Sequence, residues 1–149
     1  MNYNIPYNSL LDYIVDKREK YKTKYIYEKM KDQDLFNTYF KNLIDQKETR
    51  KVLIYTDYDS DGIHGGLILV EAFNNLGIEF DWYINSRHNG YGINENIICE
   101  LFSNVCYTDF ISIDLGITNG KEIEFLKDNW NPNIVITDHH TIQEYKNTK

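Results

Sequence analysis

The sequence predicts an α/β fold, a parallel sheet with helices on both faces, preceded by a helical N-terminal segment. Three observations predict it. Short apolar runs recur from Lys51 onward, each bounded by turn residues. Stretches with helical periodicity separate those runs, and this alternation is the mark of a parallel sheet. Three of the runs end in acidic residues, which places polar chemistry at one end of the strands.

The elements follow in order. Residues 1–50 read as a helical, highly charged segment. Leu10, Leu11, Ile14 and Val15 fall at helical spacing, and Leu35, Phe36, Tyr39, Phe40, Leu43 and Ile44 repeat the pattern more strongly. The Lys-, Tyr- and Glu-rich run between them reads as partly solvated helix or loop, its lysines forming a solvated face in preference to a phosphate contact. Residues 51–149 form the α/β domain. Residues 52–55 read as a strand running into acids and Gly62. Residues 65–76 read as a helix closed by Gly77. Residues 78–84 read as a strand, 94–102 as a helix and 110–113 as a buried strand. Residues 119–127 read as a helix with Pro132 beyond it, and 134–136 as the last buried strand.

Bulk properties narrow the function classes. A length of 149 residues favours one domain, and 42% hydrophobic residues supply a core. The net charge of -7 provides no global basic field, which weighs against a passive DNA-binding module. It weighs less against a nuclease, whose own carboxylates are negative until metal binds. Cys99 and Cys106 lack CxxC spacing and read as free thiols. The first residues lack the apolar run of a signal peptide, and no stretch approaches the ~20 apolar residues of a membrane span. The expectation is a soluble, cytoplasmic protein without a membrane partner.

The acids carry the chemistry. Asp57, Asp59 and Asp61 follow the first strand, Asp114 follows the third, and Asp138, His139 and His140 follow the last. Ligands of open parallel sheets bind beyond the carboxyl ends of the strands, so these clusters should converge on one edge. A turn or capping aspartate is the alternative for each acid. A core role is disfavoured, because unpaired buried carboxylates are costly. Gathered carboxylates repel one another unless a cation neutralises them. Carboxylates with imidazoles suit Mn²⁺, and Mg²⁺ or Zn²⁺ less specifically. The acids suffice for two metals sharing a bridging carboxylate. Two metals ~3.5–4 Å apart activate water and stabilise both oxygens of an in-line phosphoryl displacement. Gly62, Gly65 and Gly66 allow close approach to a phosphate at a helix N-terminus, or simply make a tight turn. No activated nucleophile of the Ser-His-Asp or Cys-His kind is apparent.

At these residues a family resemblance emerges. Asp57-Tyr58-Asp59-Ser60-Asp61-Gly62 is similar to the first motif of RecJ-like DHH phosphoesterases, a branch of single-strand exonucleases. Asp138-His139-His140 matches the motif that names the DHH family. Ile113-Asp114-Leu115-Gly116-Ile117 resembles the intermediate motif, with Leu115 where the branch usually has Asn. Arg87 followed by Gly90-Tyr91-Gly92 is similar to a segment typical of that branch. Gly65 replaces a small hydroxyl residue at the end of the first motif. The resemblance covers roughly residues 35–142 and implies roles residue by residue. Asp57 and Asp59 would hold a first Mn²⁺, Asp61 and His139 a second, and Asp114 would bridge them, with Mg²⁺ as the alternative metal. A bridging water would be the nucleophile. His140 would stand beside the scissile phosphate. Asp138 would be a ligand or would orient His139. Arg87 would contact a phosphate or base, or form a surface salt bridge. Tyr91 would stack on a base or pack its own loop. His64 is a candidate extra phosphate contact, although a solvated side chain is the better reading for both His64 and His88.

The resemblance implies metal-dependent phosphodiester hydrolysis on single-stranded DNA or short oligonucleotides, in DNA repair or recombination. The alternatives are a non-catalytic domain docking on a replication or repair protein, or a phosphodiesterase for cyclic dinucleotides. Enzymes of this branch continue past the third motif with a further metal-binding acid and a closing domain. Lys149 lies nine residues after His140. The expectation is therefore weak hydrolysis by this chain alone, with a second polypeptide supplying the closing half or Asp109 or Glu144 standing in as a ligand.

Overall fold

The structure is a computed structural model that describes residues 32–141. The helical spacing at Leu10–Val15, and Glu144, lie outside the described residues.

Helix α1, Gln33–Asp45, places Phe40 and Leu43 in the core. Phe36, Tyr39 and Ile44 pack against the same core at helical spacing. Leu35, expected on that face, instead points to solvent, 71% exposed. A 3₁₀ turn, Lys47–Thr49, leads into strand β1, Lys51–Thr56. Helix α2 spans Ser60–Leu76 and strand β2 Glu79–Ile84. A second 3₁₀ turn, Arg87–Asn89, precedes helix α3, Glu95–Asn104. Strand β3, Asp109–Ile113, helix α4, Gly120–Trp130, and strand β4, Asn133–Thr137, complete the described chain.

The four strands are all parallel, in the order β2-β1-β3-β4. Central strand β1 is apolar on both faces because both are covered. Val52 and Ile54 pack with Ile111, α1 and α2 on one face. Leu53 and Tyr55 pack with Phe110, α3 and α4 on the other. The period-2 alternation thus divides one run of apolar residues between two cores. Fully burying a Leu, Ile or Phe contributes roughly 1.5–3 kcal/mol, so the ten or so such residues beneath the helices dominate the stabilisation.

Helix starts depend on side-chain caps. Helix α2 begins earlier than the periodicity suggested, because the Asp59 carboxylate accepts hydrogen bonds from the Asp61 and Gly62 amides. These bonds offset the poor helix propensity of Ser60, Asp61 and Gly62. Asn94 caps α3 in the same way, accepting from Asn96 N at 2.9 Å and Ile97 N at 3.4 Å. Asn94→Ala should therefore cost about 1 kcal/mol, read as a lower urea midpoint at unchanged slope.

The topology fixes where a site forms. The chain leaves β1 through α2 on one face and leaves β3 through α4 on the other. The connections that leave adjacent strands β1 and β3 therefore diverge at their carboxyl ends, which makes the crevice there the switch point of the sheet.

Candidate metal centre

Strand register aligns the site. Thr56 pairs with both Ile84 and Ile113, and Ile113 pairs with Thr137. The ladder then continues one residue further. Asp57 N donates to Ile113 O (3.2 Å), Asn85 N to Thr56 O (2.9 Å), and Asp114 N to Thr137 O (2.7 Å). Asp57, Asn85, Asp114 and Asp138 consequently stand in a row across the carboxyl edge.

Glycines bring α2 down onto that row. A Cβ on Gly62 would lie 2.6 Å from Asp57 O, one on Gly65 2.7 Å from Ile113 Cγ2, and one on Gly66 2.8 Å from Thr56 Cγ2. The bare faces of all three are spent on the sheet rather than turned toward a ligand. This corrects the phosphate-approach reading, and it also explains Gly65, since any side chain there would meet Ile113.

Asp114 is the centre of the cluster. Its backbone is left-handed, φ 64°, a conformation Asp tolerates better than most residues. Both carboxylate oxygens are buried, and none of the described donors makes a hydrogen bond to them. His139 Nε2 lies 3.1 Å from Oδ1 but without hydrogen-bond geometry. Burial first, and then the neighbouring Asp59 charge, push the Asp114 carboxyl above its ordinary range. Burial likewise raises Asp57, whose Oδ1 accepts from the Tyr58 amide. The Gly62 amide holds Asp59 below the usual range. An orphaned carboxylate among acids is unfavourable in water-free protein, and a cation removes the penalty.

The donor set fits a hard divalent cation. Ligand atoms of Asp57, Asp59 and Asp114 all lie within 4.8 Å of one another, and so do those of Asp114, His139 and His140. Asp114 belongs to both groups. Asp61 is peripheral, its Oδ2 4.0 Å from His139 Nε2, with both side chains largely exposed. Asp138 is occupied otherwise. Its Oδ2 accepts from Ile117 N at 2.9 Å, and its Oδ1 from His140 N at 3.0 Å and His140 Nδ1 at 2.7 Å. Of the two readings for Asp138, the geometry matches an orienting group, but the imidazole it orients is His140 rather than His139. The hydrogen bond to Asp138 raises the His140 pKa, and the bonds donated by His140 and Ile117 outweigh burial to keep Asp138 low.

A loop borders the cluster. Arg87 lies 5.5 Å from the Tyr58 ring centroid, so its cation meets an aromatic face rather than a carboxylate. Tyr91 Oη is 2.9 Å from His140 Nδ1, with the two rings edge to face. The acids Asp138, Asp57, Asp114 and Asp59 add to burial in pushing the Tyr91 hydroxyl up to about 12. Two residues that sequence reasoning missed hold this loop. Buried Asn85 donates to Gly90 O (3.0 Å) and Gly92 O (3.1 Å). Asn119 accepts from Ile93 N at 3.1 Å. Only the residue after a strand end, read as a potential edge position, could have flagged Asn85.

Other candidates lie elsewhere. Exposed His64 bonds within its own helix turn, Nδ1 lying 2.6 Å from Ser60 O, and His88 is exposed in the Arg87–Asn89 turn. Leu115 is fully buried in the α3/α4 core, so this departure from the motif removes no side chain from the cluster. Asp109 opens β3, at the opposite end of the sheet, where it pairs with Arg50. Asp114 follows it by five steps along the strand, roughly 16 Å, which rules it out as a stand-in ligand.

An open parallel sheet with carboxylates and imidazoles gathered at its switch point defines a class, the α/β domains that carry a potential cation site on strand-end acids. Residues 51–149 match the DHH family, N-terminal domain, and the chain belongs to that family, as a RecJ-like member. It is 33% identical over 96 residues to the single-stranded-DNA-specific exonuclease RecJ of Thermus thermophilus, covering 64% of this chain and 14% of that protein. It is 34% identical over 104 residues to the Bacillus subtilis protein of the same name, covering 67% of this chain and 12% of that protein. The crystal structure of Thermus thermophilus RecJ in complex with Mn²⁺ superposes with a TM-score of 0.55 at 27% identity, covering 69% of this chain and 14% of that one. The chain thus spans about an eighth of the length of these relatives. Among the described residues no helix is long and apolar enough to cross a membrane.

Proposed function

We propose that residues 51–149 form a divalent-metal-dependent phosphodiester hydrolase domain acting on single-stranded DNA or short oligonucleotides, in DNA repair or recombination. The observation that carries this reading is Asp114, a buried carboxylate to which no described residue donates a hydrogen bond, shared by two groups of potential ligands. Asp57, Asp59 and Asp114 would hold one cation. Asp114 and His139, with Asp61 at the rim, would hold a second. Mn²⁺ is the expected metal, supported by the donor chemistry and the Mn²⁺-bound relative, with Mg²⁺ as the alternative. The cations supply charge neutralisation and an activated water for attack on phosphorus.

The remaining groups act on the substrate and on each other. Asp138 holds His140 by its Nδ1 edge, so that the imidazole is fixed beside the cluster. Arg87, stacked on Tyr58 and exposed, offers its guanidinium to a phosphate at the mouth of the site. The single-stranded-DNA-specific names of the relatives support the substrate class.

The test is hydrolysis of end-labelled single-stranded DNA, duplex DNA and a cyclic dinucleotide by the purified chain, with Mn²⁺, with Mg²⁺ and with chelator. Metal-dependent shortening of the single strand, faster than of duplex, is the expected result. Turnover of the cyclic dinucleotide alone would replace the substrate class. Metal binding without turnover of any substrate would replace the self-sufficient enzyme by a domain that needs a closing half from a second polypeptide, or by a docking module.

A further inference from the structure

Tyr91 lies on the cluster, and base stacking is the obvious use for an aromatic side chain there. Its contacts suggest another. The hydroxyl reaches the machinery, 2.9 Å from His140 Nδ1, and the two rings meet edge to face. That nitrogen also meets Asp138 Oδ1 at 2.7 Å. Asp138 accepts from a backbone amide at each oxygen, which favours a carboxylate and a proton on the imidazole nitrogen that faces it. Tyr91 Oη then lies beside the same edge of the ring. Two oxygens from separate segments bracket Nδ1, which limits rotation of the ring more than either would alone.

The loop that delivers the hydroxyl is built for one position. Gly90 and Gly92 flank Tyr91 with φ 83° and 91°, conformations that favour glycine. The Asn85 side chain donates to the carbonyls of both glycines while its Oδ1 accepts from Ser86 N. Asn85 is 3% exposed and stands in the row of strand-end residues, beside Asp57. A Cβ on Gly92 would lie 2.5 Å from Asn119 Oδ1, so Asn119 closes the far side of the loop.

We infer that Asn85 and Tyr91 are positioning residues for His140: Asn85 clamps both carbonyls around Tyr91, and the Tyr91 hydroxyl sets the orientation of the His140 ring. The inference concerns the arrangement of this chain's own residues. Its kinetic consequence rests on the hydrolase reading above, and its spectroscopic consequence does not.

The experiment compares the native chain with Tyr91→Phe, Asn85→Ala and the double variant. Ring ¹⁵N and ¹³C–¹H resonances of ¹⁵N,¹³C-labelled histidines are recorded without metal, at one fixed pH. The His140 signals should move in all three variants, and those of exposed His64, on α2, should not. His140 signals that coincide with the native ones in Tyr91→Phe overturn the inference, whatever the enzyme does. Tyr91→Phe alters an exposed side chain and keeps the ring, so it carries the test if Asn85→Ala fails to fold. In single-strand hydrolysis, Tyr91→Phe should lower kcat roughly tenfold while leaving KM within about twofold, as for other orienting contacts. The double variant should be no slower than the slower single one, because both act on the same ring. A raised KM at native kcat in Tyr91→Ala, with Tyr91→Phe fully active, would instead assign the ring to base stacking and overturn the role of the hydroxyl. Shifted His140 signals in a chain that hydrolyses nothing would leave this inference standing and remove the proposed function.

Discussion

Asp114→Asn is expected to abolish the thermal stabilisation that Mn²⁺ gives the native chain and to lower hydrolysis by about three orders of magnitude, equivalent to ~4 kcal/mol of barrier. The reason is geometric. Asp114 is the residue common to both groups of potential ligands, and both of its oxygens are buried with no donor among the described residues. Asn is the informative replacement because it tolerates the left-handed backbone at φ 64°, where Ala would add strain of its own. A native chain at a hundredfold excess of Mn²⁺ over its Kd should gain about 2.7 kcal/mol, read in a melting experiment. Without metal the sign reverses. The Asp114 and Asp57 carboxyls are raised in the folded state, so charging them at neutral pH costs stability, and lowering the pH recovers it. Metal-free Asp114→Asn should therefore melt above the metal-free native chain. A variant that retains the full Mn²⁺ shift would remove Asp114 from the metal centre.

The second large effect is expected at the opposite end of the sheet. Asp109→Asn should cost about 3–5 kcal/mol at neutral pH, measured by urea unfolding. The Asp109 side chain is fully buried and accepts from Arg50 Nε (2.7 Å), the Arg50 guanidinium again, Thr108 Oγ1 (2.6 Å) and Tyr39 Oη (2.9 Å). Tyr39 belongs to α1, so the pair fastens α1 to β3. Burial opposes the charge, but the Arg50, Thr108 and Tyr39 bonds win and hold the carboxyl below its ordinary range. A depressed carboxyl contributes its full stability above the unfolded value, near pH 4, and loses it as pH falls through the folded value. The gap between native and Asp109→Asn should accordingly be widest at neutral pH and narrow on acidification below about pH 4. An undiminished gap at low pH would mean that packing rather than charge stabilises the contact.

The acidic cluster and the buried pair were not equally legible in the sequence. Asp57, Asp114 and His139 could be read because each follows an apolar run, and the register of a parallel sheet brings such positions together. The strands were legible for the same reason: runs such as Val52–Tyr55 are buried on both faces and carry no polar interruption. Asp109 carries no such signal. An acid at the start of a strand looks like a solvated turn residue, and its four donors come from distant or weakly patterned positions. Asn85 was hidden likewise, since its role lies in bonds to glycine carbonyls, which composition does not reveal. Gly62, Gly65 and Gly66 were visible as glycines, but not which way their bare faces point. That depends on how closely α2 lies over β1 and β3, a property of packing rather than of pattern.

The order of the strands has a consequence for the folding of the chain. No described strand pair is joined by a hairpin, so no two neighbours can zip together locally. Lys51 reaches Glu79, and Asp109 reaches Asn133, each across a single helix. Val52 reaches Asp109 only across α2, β2 and α3, so this contact closes the longest loop in the sheet. Asp57 and Asp114 stand at that seam. The group of Asp57, Asp59 and Asp114 therefore comes into being only when the two halves meet, whereas Asp114, His139 and His140 share one half. A chain caught with one half formed would lack the group that joins the halves, so a cation held by Asp57, Asp59 and Asp114 together would mark the finished sheet.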